Sequence, residues 1–323
     1  MAKTDIEKLI AATLINGADF LEKELEVIKL SPSLNYMFGG GITASSMTLF
    51  SGPPKLGKTA TCFDIARQAQ KVGYHIVYLN AEHRVQNRDV ASTYGFEPSE
   101  LSIHTSSPEK IIYAEDFVKL GRYYLEKPER HLIIIDSFSQ MCPKDLGENP
   151  DFGDKYRDGS PGIFSRFTKV IAPILSVTDN IVLGVTHTYA NTSGQGQKTK
   201  IEGGGNKIQY SQNFKLEGLY AKAWEDKVGN KIGQEIFWRC KNSSIGTGDR
   251  EATGYLRFNH GLDYEREILE LAKMAAVPDV SLKGAWWQIF DQKAQGTENA
   301  VELLRKDPEL YRAVDTEVWK VLG

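Results

Sequence analysis

The chain has 323 residues, 41% of them hydrophobic and 25% charged, with a formal net charge of -3. These values are ordinary for a soluble globular protein, with length enough for one large domain and a smaller appendage. The near-neutral balance argues against wholesale basic coating of nucleic acid and leaves a local cationic groove open. Three cysteines, Cys62, Cys142 and Cys240, make no CxxC pair and no metal-spaced cluster, and read as reduced buried thiols. No apolar run follows a basic start, as in a secretory leader. None approaches the roughly 20 residues that span a bilayer, so a cytoplasmic location is expected.

Residues 4–28 carry Ile6, Leu9, Ile10, Leu14, Phe20, Leu21, Leu25 and Ile28 at helical spacing, with a break expected at Gly17. This segment of about 1–30 is too small for a domain; it packs on the core or reaches a neighbouring subunit. From about residue 45 the pattern predicts a strand at 47–50, a helix at 58–71, a strand at 75–80, a short helix at 89–94 and a strand at 101–104. A helix at 109–126, a strand at 131–136, a helix at 164–177 and a strand at 180–186 follow. Apolar runs alternating with helices imply an α/β fold: a mostly parallel sheet covered on both faces. A polar loop of Gly, Thr, Ser, Gln and Lys then runs from 188 to about 209, a length usually functional or disordered. Strands near 214–219, 235–240 and 254–258 read as an antiparallel extension closing a core of 31–265. From 266 to 323 a mainly helical pattern makes a small C-terminal domain.

The strongest motif is Gly52-Pro53-Pro54-Lys55-Leu56-Gly57-Lys58-Thr59, followed by Ala60, which fits G-x-x-x-x-G-K-[ST] between a strand and a helix. Glycines let backbone N–H groups approach phosphate oxygens, and the helix N-terminus adds positive potential. Lys58 can reach β and γ phosphates, and the Thr59 hydroxyl can ligate Mg²⁺, so ATP and Mg²⁺ are the expected ligands. Asp136 ends an apolar strand, where a carboxylate can hold the magnesium shell. Glu82 ends another; by itself it is either a water-orienting carboxylate or a surface glutamate. His187 closes a third and either senses a γ phosphate or bonds within the core.

These residues in this order resemble the RecA family of recombinases, and within it the phage UvsX-type members, over roughly residues 31–323. Ala81-Glu82-His83 resembles the family's strand with its catalytic glutamate, Ile135-Asp136-Ser137 its Walker B strand, and His187-Thr188-Tyr189 the phage form of its sensor. Gly203-Gly204-Gly205-Asn206 resembles the end of the second DNA-binding loop. Gly284-Ala285-Trp286-Trp287, Gln295-Gly296 and Leu304-Asp307-Pro308-Glu309 resemble the bacterial C-terminal domain.

The resemblance implies a small C-terminal α/β domain and a DNA-dependent ATPase with Glu82, Lys58 and His187 catalytic. It implies filaments on single-stranded DNA that exchange strands with homologous duplex. A RecA-fold accessory protein that uses ATP as an assembly switch is the alternative. Residues 142–162 would form the first DNA-binding loop and 188–209 the second. Arg166, Lys169, Lys198, Lys200 and Lys207 would supply cations, and Gly203, Gly204, Gly205 and Asn206 close backbone contacts. Self-association into a helical filament or ring is implied, with single-strand-binding and loader proteins as further partners and the host cytoplasm as location for a phage-encoded chain. Two departures stand out. Asp89 occupies the position of an adenine-stacking aromatic, which leaves Phe258. Lys241 matches the first of two cations reaching a neighbour's γ phosphate, whereas Ser243 stands at the second.

Overall fold

The structure, a computed structural model, describes residues 3–17, 25–84, 90, 93–148, 160–190, 200–202, 213–226, 228–243 and 248–323. Helix α1 (Lys3–Thr13) precedes strand β1 (Val27–Ile28), α2 (Pro32–Phe38), β2 (Ile42–Thr43) and β3 (Ser46–Gly52). Then come α3 (Lys58–Lys71), β4 (His75–Asn80), β5 (Leu101–His104), α4 (Ala114–Leu125), β6 (His131–Asp136), α5 (Lys144–Glu148) and α6 (Ser160–Leu175). Next are β7 (Ile181–Ala190), β8 (Lys200–Glu202), β9 (Phe214–Glu225), β10 (Lys231–Ser243), β11 (Glu251–Arg257) and β12 (Gly261–Leu262). Last are α7 (Tyr264–Met274), β13 (Val280–Lys283), β14 (Trp286–Ile289), β15 (Gln292–Gln295), α8 (Thr297–Lys306) and α9 (Pro308–Leu322).

The main sheet runs β12-β11-β10-β9-β3-β7-β6-β4-β5, with β8 paired to β7. Strands β9, β3, β7, β6, β4 and β5 are mutually parallel, and β10, β11 and β12 continue the sheet antiparallel. The expected α/β architecture is therefore present. Runs such as Leu132–Ile135 are buried on both faces, as helix-covered parallel strands require. One face packs Phe50, Ile76, Ile134 and Leu183 against Phe63 and Ile65 of α3. The other packs Leu49, Val77 and Ile133 against Phe117 of α4 and Phe164 and Phe167 of α6. Gly121 lets α4 and α6 approach, since a Cβ there would lie 3.0 Å from the Phe167 ring.

Four local expectations are corrected. Val27 and Ile28 form a ribbon with Thr43 and Ile42, not a helix; β-branched neighbours favour it and it buries Ile28. The helix expected at 109 begins at Ala114, because the Asp116 carboxylate accepts from the Tyr113 N–H and fixes the start. The loop expected at 188 begins later: β7 continues to Ala190, and Thr188 pairs with Glu202 on β8. Cys142, expected to be buried, is exposed in the turn between β6 and α5. The C-terminal region is mainly helical, as expected, in α7, α8 and α9. Short strands β13, β14 and β15 form an antiparallel sheet whose buried Trp287 packs with Ile268, Val301, Leu304, Val314 and Val318.

Candidate nucleotide site

The parallel strands deliver the functional residues to one edge. Gly52 ends β3 opposite His187 on β7, and Asn80 ends β4 opposite Asp136 on β6, so loop 53–57, Glu82, Asp136 and His187 share the carboxyl end of the sheet. That end is where open α/β sheets form their ligand crevice. Gly57 must be glycine on two counts. Its φ is 94°, and a Cβ there would lie 2.7 Å from Ile236 Cδ1 and 2.8 Å from Gln234 Nε2. The chain then enters α3 with its first N–H groups directed at the loop, the arrangement that favours an anion.

Lys58 is 4% exposed. Its Nζ donates to Gly52 O at 3.0 Å and Pro53 O at 2.7 Å, and lies 3.2 Å from His187 Nδ1. Burial pulls its pKa down to about 8 against the opposing charges of Asp136 and Glu82. Thr59 Oγ1 donates to Asp136 Oδ2 at 2.5 Å, and the Tyr78 hydroxyl donates to the same oxygen at 2.9 Å. Burial raises the pKa of Asp136, opposed by the Thr59 hydrogen bond. Asp136 Oδ1 is buried without a hydrogen-bond partner.

A hydroxyl beside a carboxylate with one unsatisfied oxygen fits Mg²⁺, which takes one or two carboxylates and completes its shell with phosphate oxygens and water. Among the described residues no cluster of three or more His, Cys, Asp and Glu side chains is arranged to hold a metal. Glu82 is anchored by its own N–H donating to Asp136 O at 2.7 Å. Its Oε2 lies 3.3 Å from His187 Nε2, and its Oε1 lies 3.0 Å from Arg84 Nη1. The His187 hydrogen bond is the largest influence lowering the Glu82 pKa. The main-chain N–H of His187 donates to Ser139 Oγ at 3.3 Å.

The structure thus joins Lys58, Thr59, Glu82, Asp136 and His187 in one connected group. Sequence reasoning missed Tyr78, Arg84 and Ser139, whose contacts cross between strands and turns and follow no spacing. Two further expected residues stand outside the group. Phe258 is half-exposed just past β11, and Lys241 Nζ pairs with Glu217 Oε2 at 3.3 Å. Of the expected DNA-binding residues, Arg166 and Lys169 are exposed three residues apart on α6, and Lys200 lies on β8. Lys198, Gly203, Gly204, Gly205, Asn206, Lys207 and Asp89 lie outside the described residues.

No family model matches the chain. Curated relatives do. The RecA protein of Geobacter sulfurreducens is 24% identical over 331 residues, spanning 100% of this chain and 94% of the relative. That of Campylobacter jejuni subsp. doylei is 24% identical over 312 residues, spanning 94% of this chain and 87% of the relative. That of Nitratiruptor sp. is 23% identical over 291 residues, spanning 88% and 80%.

Proposed function

From the premise that the chain is a RecA-family protein, we propose that it is an ATP-hydrolysing recombinase that assembles on single-stranded DNA and exchanges it into homologous duplex. The observation that carries the reading is the contact group of Lys58, Thr59, Asp136, Glu82 and His187 at the carboxyl edge of the parallel sheet. Backbone amides of loop 53–57 and the start of α3 hold the phosphates, and Lys58 compensates their charge. Thr59 Oγ1 and the Asp136 carboxylate would hold Mg²⁺, which would supply charge neutralisation to the bound phosphates. Glu82 orients the attacking water and accepts its proton at a carboxylate oxygen. Phe258 offers its exposed ring to the adenine. Arg166, Lys169 and the lysines of the 188–209 segment bind DNA phosphates without reading sequence, which suits a protein that must accept any strand. Watson–Crick pairing reads homology.

The resemblance to phage UvsX-type members enters here as part of the same proposal. The accessory-protein reading is favoured by Ser243, which stands where a second cation toward the neighbouring subunit is expected, and by Asp89 at the position of an adenine-stacking aromatic. A joint-molecule assay separates the two. With ATP, a recombinase converts a single strand and its homologous duplex into joint molecules and leaves a non-homologous duplex untouched. Nucleotide-dependent assembly without joint molecules assigns the accessory role.

A further inference from the structure

Both ring nitrogens of His187 are engaged. Nδ1 faces Lys58 Nζ at 3.2 Å and Nε2 faces Glu82 Oε2 at 3.3 Å. An ammonium only donates and an ionised carboxylate only accepts, so the neutral ring with its proton on Nε2 satisfies both; that tautomer is assigned from the network. The other contacts of Lys58 Nζ are with the loop's own carbonyls, Gly52 O and Pro53 O. The second oxygen of Glu82 is held by Arg84. The ammonium meant for phosphate and the carboxylate meant for water are thus both committed to protein partners.

We propose that His187 is a positioning residue that latches the phosphate-binding Lys58 to the water-orienting Glu82, so that an incoming phosphate must break the Lys58–His187 contact before Glu82 is released. The proposal rests on the nucleotide reading of this site. Phosphate oxygens offer Lys58 charge-assisted hydrogen bonds, which are stronger than those to neutral carbonyls and imidazole. When Lys58 turns to them, Nδ1 loses its donor and the ring is no longer fixed against Glu82. The latch leaves Glu82 idle while the loop is empty and ties its availability to occupancy by direct contact. Because the resting arrangement has to open, the latch also lowers apparent nucleotide affinity.

The test is ¹⁵N NMR of the histidine side chains of the full chain, with and without Mg²⁺ and ADP. The His187 signals are identified by their loss in His187→Gln. The resting protein is expected to show the Nε2-protonated tautomer with Nδ1 shifted by its donor. ADP is expected to remove that Nδ1 shift, and Lys58→Ala to remove it without nucleotide. ADP affinity supplies a second arm, chosen because ADP has no γ phosphate for His187 to touch. His187→Ala is expected to bind ADP roughly 3- to 10-fold more tightly than wild type, the scale of one hydrogen bond that no longer has to break. His187→Gln, with an acceptor and a donor, should gain less. A wild-type chain that does not bind ADP overturns the nucleotide reading. A wild-type chain that binds ADP while Nδ1 responds neither to ADP nor to Lys58→Ala overturns the latch alone. The wild-type NMR arm requires no variant to fold.

Discussion

Replacing one oxygen of Glu82 by an amide nitrogen separates binding from hydrolysis. Glu82→Gln keeps size and hydrogen bonding but no longer accepts a proton at a carboxylate. ATP and DNA binding should persist while steady-state turnover falls on the order of 10²-fold or more. Wild-type turnover in that variant would move the role to another residue. Lys58 makes a prediction about pH. Its pKa in the free protein is about 8, set by burial, and bound phosphates would hold it protonated. Above pH 8, binding must therefore take up a proton. Nucleotide affinity should be level below that pH and fall by up to about tenfold per unit above it. A titration series that stays level to about pH 9.5 would contradict the assignment. Lys58 and Thr59 were legible because their motif is contiguous. Asp136, Glu82 and His187 were legible as candidates because each is a polar residue at or just past the end of an apolar run. Tyr78 was not. Its hydroxyl reaches Asp136 across strands, and the register that sets Asn80 opposite Asp136 is absent from any local spacing.

At the scale of elements, the parallel strands announce themselves as apolar runs, whereas β9 and β10 do so only in part. They span 12 and 13 residues, about twice the stretches predicted, and most of the added residues of β9 are exposed. A bulge also breaks the alternation: Trp238 pairs with Gly218 and Phe237 with Tyr220, so Leu219 is the extra residue. Buried and exposed positions exchange there, and period-2 reading stops. The four-residue strands of the C-terminal sheet are too short for periodicity; positive φ at Gly284 and Phe290 marks their turns. The segment around β8 carries the DNA prediction. Each lysine neutralising a single-strand phosphate contributes roughly 0.7 to the slope of log affinity against log salt. Replacing Lys198, Lys200 and Lys207 together with alanine should flatten that slope by up to about two units, equally for unrelated sequences. ATP binding without DNA should remain. An unchanged affinity and slope would place the DNA site elsewhere.

At the scale of the whole molecule, the C-terminal unit is fastened to the main sheet by buried polar contacts as well as by chain continuity. Glu267 of α7 accepts from Ser33 N at 2.9 Å and Tyr255 N at 3.2 Å, and burial pushes its pKa up to about 8. Asp263, fully buried before α7, pairs with Arg305 of α8. The C-terminal unit is therefore tied to β11 and α2 by buried hydrogen bonds. Helix α1 lies differently: Ile6, Leu9 and Ile10, and Leu14 just after it, are exposed, the surface expected of a segment that reaches a neighbouring subunit. Electron microscopy of the full chain with single-stranded DNA and a non-hydrolysed ATP analogue tests the central claim most directly. Regular helical filaments should form when both ligands are present and disappear in Lys58→Ala. Isolated particles with both ligands present, or filaments indifferent to nucleotide and to Lys58, would contradict an ATP-driven recombinase.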